Sequence, residues 1–167
     1  MSARRPLIAA NWKMHAPPAG FDAPHSPYRP AAGADVLVFP TLLHLAACKA
    51  AGLSVGAQCG HPEPNGAFTG DVGMAMLREA GCLAVLCGHS ERRMRHHEGS
   101  AYVALQAVAA KEAGLHAIVC VGETGADRDA GKAEDVVAEQ VRAVPVPVTW
   151  AYEPVWAIGT GKTATPE

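Results

Sequence analysis

Glu153 is the residue of this sequence best placed to act as a base. It follows a short apolar run, from Val148 to Tyr152, with the β-branched and aromatic composition of a strand. Pro154 comes next and ends the strand, because the residue before a proline favours an extended conformation. The loop that follows combines large apolar side chains with glycines and is typical of a lid. A carboxylate beneath a lid that excludes water is well placed to be a general base.

Two further side chains could complete a site for proton abstraction beside a carbonyl. Lys13 offers a positive charge to an anionic substrate such as a phosphate ester. His89 precedes a predicted helix, whose dipole favours the neutral imidazole, and a neutral imidazole can donate a hydrogen bond to an enolate oxygen. Each residue also has a simpler interpretation: a solvated lysine, a structural loop histidine and, for Glu153, a solvated carboxylate at a strand end.

Ser90 and Glu91 open the helical turn after the histidine. Ser90 is the candidate N-cap of that helix. Glu91 could orient Lys13, or it could pair with Arg92 or Arg93. The sequence alone leaves these alternatives for Glu91 open.

Nucleotide and metal sites find no support in the sequence. Gly161-Lys162-Thr163 has the ending of a phosphate-binding P-loop, but Trp156 stands where that motif requires a glycine. His96 and His97 are adjacent, so on a helix they would point in different directions. The five cysteines have neither CxxC nor zinc-type spacing and are interpreted as reduced core thiols. The sequence therefore predicts no metal.

The elements that must position the candidate residues alternate between strands and helices. The predicted strands are 6–10, 35–39, 53–57, 82–87, 116–121 and 148–152, and the predicted helices are 41–51 (N-cap Thr41), 71–80, a turn opened at Ser90, 101–113 and 133–143. Short apolar strands between helices indicate a parallel sheet buried on both faces, whose active site lies at the carboxyl ends of the strands. Distinctive polar residues fall at those ends: Asn11, Lys13, Gln58, His89, Glu123 and Glu153.

Composition limits the class of protein. With 167 residues, of which 49% are hydrophobic and 18% charged, the chain fits one globular α/β domain and not a disordered segment. The net charge of −2 gives no sign of a nucleic-acid or membrane-surface partner. No apolar run approaches the ~18 residues of a membrane span, and the N-terminus lacks a signal-peptide pattern. Together with the cysteine pattern, these features predict a cytoplasmic protein.

Five segments match the motifs of one family, in the same order and across nearly the whole chain. They are Ala10-Asn11-Trp12-Lys13, Gly66-Ala67-Phe68-Thr69-Gly70, Gly88-His89-Ser90-Glu91-Arg92-Arg93, Cys120-Val121-Gly122-Glu123, and the stretch from Ala151 to Lys162. By these motifs the sequence closely resembles the triosephosphate isomerases. The resemblance implies a (β/α)₈ TIM barrel, with about the first six β/α units present as one domain over residues 1–167. It also implies interconversion of dihydroxyacetone phosphate and D-glyceraldehyde 3-phosphate, with no metal and no organic cofactor.

The resemblance implies a role for each catalytic candidate. Glu153 would carry the proton between two carbons, and neutral His89 would polarise the carbonyl and protonate the enediolate oxygens. Lys13 would stabilise negative charge and help to hold the phosphate, and Asn11 would add a hydrogen bond. Behind them, Glu91 and Ser90 would support the site without touching the substrate.

The lid and the subunit contact come from the same resemblance. The lid would extend from Pro154 to Thr163, with Ile158 and the Gly159 N–H contacting the substrate. Its other members are Val155, Trp156, Gly161 and Lys162. The loop from Gln58 to Asp71 resembles an arm that inserts into a neighbouring subunit, with Phe68 and Thr69 in the arm. A homodimer follows from the resemblance.

The sequence departs from the family pattern in one segment and in its length. Five prolines between Ala16 and Gly33 exclude a helix longer than one turn where the family has its first helix. A closed barrel typically needs about 250 residues and at least ~200, and only six strands are predicted here. The chain could be a fragment of a longer enzyme, a short chain that completes its barrel through a partner, or a non-catalytic remnant. Within enzymes, the alternative substrate is a related short sugar phosphate such as a tetrulose phosphate.

Overall fold

The computed structural model describes residues 5–161 and 163 and contains six strands. These are β1 (Leu7–Asn11), β2 (Asp35–Phe39), β3 (Gly56–Ala57), β4 (Ala84–Cys87), β5 (His116–Val121) and β6 (Thr149–Tyr152). Every ladder between them is parallel. The parallel sheet predicted from the alternating apolar runs is confirmed.

The strands lie side by side in the order in which the chain visits them. Strands β1 and β2 form one ladder, and β3 to β6 form a second. A parallel bridge between Val38 and Val55 joins the two ladders, and the Val38 N–H donates to the carbonyl oxygen of Ser54 at 3.0 Å. Sequential parallel strands connected through helices are the arrangement of a partial (β/α) barrel.

Helices lie in the connections between β2 and β6. They are α1 (Leu45–Ala50), α2 (Met74–Glu79), α3 (Ser90–His96), α4 (Ser100–Glu112), α5 (Gly125–Asp129) and α6 (Ala133–Ala143), with 3₁₀ turns at Leu42–His44 and Val155–Ala157. The longest of them, α4, has 13 residues. In the described part of the chain, no helix has both the length and the apolar character needed to cross a membrane.

The sheet has two apolar faces because successive side chains of a strand point to opposite sides. On the helix-covered face, Val38, Val85 and Val119 belong to the main core, together with buried side chains of α1, α2 and α4. On the opposite face, Leu37 and Leu86 belong to a smaller cluster. Burial on both faces explains why these strands are apolar throughout rather than alternating.

The outermost strands are less covered than the central ones. Among the described residues, β1 and β6 each pair with a single strand. Ile8 on β1 is 55% exposed, and Trp150 and Tyr152 on β6 are 40% and 50% exposed. The apolar side chains of β4, in the centre of its ladder, are all buried.

The observed bounds differ from the predicted ones by one to three residues in several elements, and three differences change the element itself. The predicted helix 41–51 divides into the 3₁₀ turn and α1, because the Thr41 hydroxyl and the His44 Nδ1 lie 2.7 Å apart and close a tight first turn. The predicted strand 53–57 is reduced to β3. Helix α5 was not predicted, although its signal is present: Thr124 and Asp127 form a capping box.

The proline-rich segment from Ala16 to Gly33 contains turns and no helix. This agrees with the exclusion of a helix by its five prolines. Phe21 and Tyr28 from this segment pack against the main core beside Trp12. The segment therefore covers part of the face that helices cover elsewhere.

Candidate active site

The polar residues that follow the strands collect at one end of the sheet. A cavity of about 520 Å³ opens there. Its polar lining includes Asn11, Lys13, Gln58, His89, Glu91 and Arg95. The structure brings these side chains together because the carboxyl ends of parallel strands share one edge of the sheet.

Lys13 has an uncommon backbone conformation, with φ of 49°. A non-glycine residue in the left-handed region is strained and needs support from its surroundings. The Lys13 N–H donates to Asn11 Oδ1 at 2.9 Å, and Gln58 Nε2 donates to the Lys13 carbonyl oxygen at 2.8 Å. Gln58 also donates to Phe39 O at 2.8 Å, so it ties the residue to the end of β2.

Glu91 pairs with Lys13, which decides between the alternatives that the sequence left open. Lys13 Nζ donates to Glu91 Oε1 at 2.7 Å, and this hydrogen bond lowers the pKa of Glu91. Arg92 instead donates to the buried Glu98 at 2.7 Å, and Arg93 donates to Gly88 O at 2.8 Å. Glu91 is therefore free to orient the lysine.

His89, not Ser90, is the N-cap of α3, so the predicted cap was wrong. The Glu91 N–H donates to His89 Nδ1 at 3.2 Å, whereas the Ser90 hydroxyl is buried without a partner among the described residues. Because Nδ1 accepts this hydrogen bond, the tautomer that fits the contact carries its proton on Nε2. Nε2 lies 3.1 Å from Glu153 Oε1.

Glu153 is held by the beginning of α3. Its Oε2 accepts a hydrogen bond from the Ser90 N–H at 2.9 Å, and its Oε1 faces His89. Burial raises the pKa of the Cys120 thiol, and the neighbouring Glu153 carboxylate raises it further. The Cys120 thiol is therefore a neutral neighbour of the carboxylate.

The segment predicted to be the lid is joined to the end of β5 through Glu123, which was predicted only as a polar residue at a strand end. The Glu123 side chain is fully buried and accepts from Trp156 Nε1 at 2.7 Å, from the Tyr152 hydroxyl at 3.0 Å and from Arg128 at 3.1 Å. The Arg128 guanidinium also lies 4.7 Å from the centre of the Trp156 ring. The sequence signals at Glu123 were its place two residues after the predicted strand 116–121 and its place in a family motif, and neither identifies its partners.

The predicted lid is partly buried from Pro154 to Ala157 and exposed from Ile158 to Gly161. Its N-terminal part forms the 3₁₀ turn Val155–Ala157, which follows Pro154. Ile158 and Gly159 are exposed, and Gly159 and Gly161 have φ of 72° and 73°, values that glycine adopts readily. Lys162 lies outside the described residues.

The predicted arm protrudes from the molecule. Phe68 and Thr69 are both exposed, and Phe68 retains 42% of its accessible surface. One face of the Phe68 ring lies 4.1 Å, centroid to centroid, from the imidazole of His61. The arm therefore presents its aromatic and hydroxyl side chains to the surroundings.

No metal centre is evident in the region that the structure describes. Among residues 5–161 and 163, no three His, Cys, Asp or Glu side chains lie together in a way that could hold an ion. The chemistry that the arrangement supports is proton transfer between a carboxylate, an imidazole and a substrate bound near an ammonium group.

Comparison with known proteins points to one family. The model of the triosephosphate isomerase family matches residues 6–167. The curated triosephosphate isomerase of Xanthobacter flavus is 48% identical, with 97% of this chain and 70% of the relative covered. That of Bradyrhizobium diazoefficiens is 49% identical with coverage of 96% and 70%, and that of Ralstonia nicotianae is 48% identical with coverage of 100% and 73%. The chain belongs to the triosephosphate isomerase family.

Proposed function

We propose that this chain catalyses the interconversion of dihydroxyacetone phosphate and D-glyceraldehyde 3-phosphate. One observation supports this most directly: His89 Nε2 lies 3.1 Å from Glu153 Oε1, at a cavity whose other wall carries Lys13. A carboxylate, a neutral imidazole and an ammonium group at one cavity are the components that an aldose–ketose isomerisation needs.

Glu153 is the proposed base. It takes a proton from the carbon next to the substrate carbonyl, and the electron pair of that C–H bond forms the enediolate. The same carboxyl then returns the proton to the neighbouring carbon. The cavity lining does not include Glu153, so its carboxylate must turn away from His89 and the Ser90 amide to reach the substrate.

His89 is the proposed proton shuttle between the substrate oxygens: it gives its Nε2 proton to the carbonyl oxygen and takes a proton back from the neighbouring hydroxyl. Its Nε2–H, now directed at Glu153, becomes available when the carboxylate moves. The Glu91 and Ser90 backbone amides hold His89 and Glu153 in place, at 3.2 Å and 2.9 Å. In this proposal Glu91 and Ser90 position the catalytic groups and do not touch the substrate.

Lys13 and Asn11 are the proposed substrate-binding groups on β1 and its end. The ammonium group of Lys13 offsets the charge of the enediolate and of the phosphate. Asn11 supports the Lys13 backbone through its Oδ1 and leaves its amide N–H groups for the substrate.

The segment from Pro154 to Thr163, including Val155, Trp156, Gly161 and Lys162, is the proposed lid. Its closure brings Ile158 and the Gly159 N–H to the substrate and excludes water. Exclusion matters because an exposed enediolate can eliminate its phosphate. The positive φ of Gly159 and Gly161 supports a loop that moves at these residues.

We also propose that the chain acts as a cytoplasmic homodimer. Met14 is 91% and Leu43 is 90% exposed, and both line an apolar cavity of about 590 Å³ beside the candidate active site. Exposed apolar surface of this kind is typical of a protein–protein contact. The five cysteines are free thiols, which fits a reducing compartment.

The function is tested by measuring isomerisation of D-glyceraldehyde 3-phosphate by the wild-type chain and by Glu153→Gln. We expect the variant to lose about 10²–10⁴-fold in kcat, the usual contribution of a positioned base. A four-carbon sugar phosphate is the second substrate, and it tests the alternative specificity. Wild-type turnover confined to that substrate, or a Glu153→Gln variant with an unchanged rate, would contradict the proposal. A folded wild-type chain without any turnover would support the non-catalytic alternative.

A further inference from the structure

The segment from Ala16 to Gly33, which replaces a helix, has a defined internal structure. Successive turns close through backbone hydrogen bonds of 3.0–3.2 Å: Phe21 N–H to Pro18 O, Ala23 N–H to Gly20 O, Ser26 N–H to Ala23 O and Arg29 N–H to Ser26 O. The Arg29 side chain donates to Ala23 O at 2.8 Å and to Asp22 O at 2.6 Å. The backbone of the segment is therefore held by consecutive turns and by the Arg29 side chain.

Two aromatic rings of this segment enclose Trp12. Tyr28 lies 5.1 Å and Phe21 lies 6.0 Å from the Trp12 ring, centroid to centroid, and both meet it edge to face. We call Phe21, Tyr28 and Trp12 the aromatic clamp. Trp12 is only 8% exposed, and its Nε1 is buried with no hydrogen-bond partner in the described residues. Packing, not hydrogen bonding, therefore holds the indole ring.

Trp12 immediately precedes Lys13, whose backbone is in the left-handed region. The Trp12 N–H donates to Phe39 O at 3.1 Å, so the ring and the backbone of Trp12 are both fixed. A strained residue keeps its conformation only where its neighbours over-determine it. Asn11 and Gln58 hold Lys13 by hydrogen bonds, and the clamp fixes the residue before it.

We propose that Phe21 and Tyr28 are positioning residues for catalysis. By holding Trp12, they keep Lys13 in the backbone conformation that directs its ammonium group to Glu91, 2.7 Å away, and to the cavity. This inference rests on the proposed function for its kinetic consequence. Its structural consequence, the conformation of Lys13, is independent of turnover.

The contrasting interpretation is that the two rings only fill the core, since both pack against the main cluster. A filling role predicts that activity falls only in step with stability. Leu115→Ala provides the matched control. Leu115 is 5% exposed, belongs to the same core cluster and lies next to the start of β5, at the opposite end of the sheet from Lys13.

The experiment compares Tyr28→Leu, Phe21→Leu, Tyr28→Phe and Leu115→Ala with the wild-type chain. The readouts are thermal midpoint, kcat and KM for D-glyceraldehyde 3-phosphate, affinity for inorganic phosphate by calorimetry, and the chemical shift of the Lys13 backbone amide. We expect both leucine variants to lose about tenfold in kcat/KM and to shift the Lys13 amide, since small misplacements of a binding group are costly. Tyr28→Phe, which keeps the ring, should match the wild type.

Leu115→Ala should lower the thermal midpoint by at least as much as Tyr28→Leu while leaving the Lys13 amide and kcat/KM close to wild type. The inference is overturned if both leucine variants retain the wild-type Lys13 amide shift and phosphate affinity, or if their kcat/KM falls no more than that of Leu115→Ala. A wild-type chain without isomerase activity would contradict the proposed function alone. In that case the Lys13 amide and phosphate affinity still decide the role of the clamp.

Discussion

Trp156 Nε1 donates a 2.7 Å hydrogen bond to the buried carboxylate of Glu123, and this contact joins the start of the proposed lid to the end of β5. Tyr152, the last residue of β6, donates to the same carboxylate. Glu123 therefore binds the end of β6 and the start of the proposed lid, on either side of Glu153. The candidate base lies between Tyr152 and Trp156, which both donate hydrogen bonds to Glu123.

Replacing Trp156 by phenylalanine should destabilise the protein by more than the loss of buried side-chain area would predict. The change removes a hydrogen bond to a buried charged group, which is worth about 1.5–3 kcal/mol. Urea unfolding of Trp156→Phe should show a loss of that order. Trp150→Phe is the control, since Trp150 is 40% exposed on β6 and should cost about 0.5 kcal/mol. Equal losses in the two variants would show that the bond to Glu123 contributes nothing.

Glu123 should also make stability depend on pH. Burial raises the pKa of Glu123, but hydrogen bonds from its own backbone, Trp156, Tyr152 and Arg128 outweigh burial and lower it below the ordinary value of 4.5. A carboxyl whose pKa is lower in the folded state than in the unfolded state stabilises the protein at pH values above its unfolded-state pKa. That stabilisation is lost as the pH falls through its folded-state pKa. Thermal midpoints measured from pH 7 downward should therefore fall below about pH 5 more steeply for wild type than for Glu123→Gln. Parallel curves would contradict this assignment.

Gly122→Ala should disturb the position of Glu153. A Cβ at Gly122 would lie against the carbonyl oxygen of Glu153, well inside van der Waals contact, so the end of β6 must shift. Overpacking of this kind costs about 1–3 kcal/mol, and we expect kcat to fall as well. Gly99→Ala is the control, because its Cβ would meet no atom within 4 Å. A Gly122→Ala variant as stable and active as Gly99→Ala would refute the expectation.

Glu91→Gln should affect catalysis more than stability. The Lys13–Glu91 pair is partly exposed, with side-chain exposures of 40% and 39%, so its loss should cost under about 1 kcal/mol. The orientation of the ammonium group is lost with it, and we expect kcat/KM to fall about tenfold. Steady-state kinetics and thermal melts provide the two readouts, with Glu112→Gln at the exposed end of α4 as the control. The proposed positioning role fails if activity is unchanged.

The proposed homodimer should depend on the apolar surface around Leu43. A lysine there would place a charge in a desolvated contact, so Leu43→Lys should shift the chain to monomer in sedimentation velocity experiments. Leu105→Lys, on the exposed face of α4 and 58% exposed in the wild type, should leave the dimer intact. A wild-type chain that sediments as a monomer at every concentration measured would contradict the proposed homodimer.

Much of the fold and of the candidate site could be predicted because it depends on local patterns. The strands β2 and β5 and the helix α6 have the bounds that their apolar runs and periodicity indicated. Polar residues directly after buried strands identified the cavity, since parallel topology forces those strand ends together. The prolines between Ala16 and Gly33 excluded a helix because proline lacks the N–H that a helix interior requires.

Contacts between residues distant in sequence were decided only by the tertiary structure. Three basic residues were candidate partners of Glu91, and it pairs with Lys13 because of where β1 ends relative to α3. His89 displaced Ser90 as the helix cap because its ring turns back onto the Glu91 amide. Glu123 acquired its role from Trp156, 33 residues away, and no pattern within either segment records that contact. The periodicity of a segment indicates which of its residues lie on the same face of a helix or strand. Which residues of other segments they contact depends on how the elements pack together, and the sequence of one segment does not contain that information.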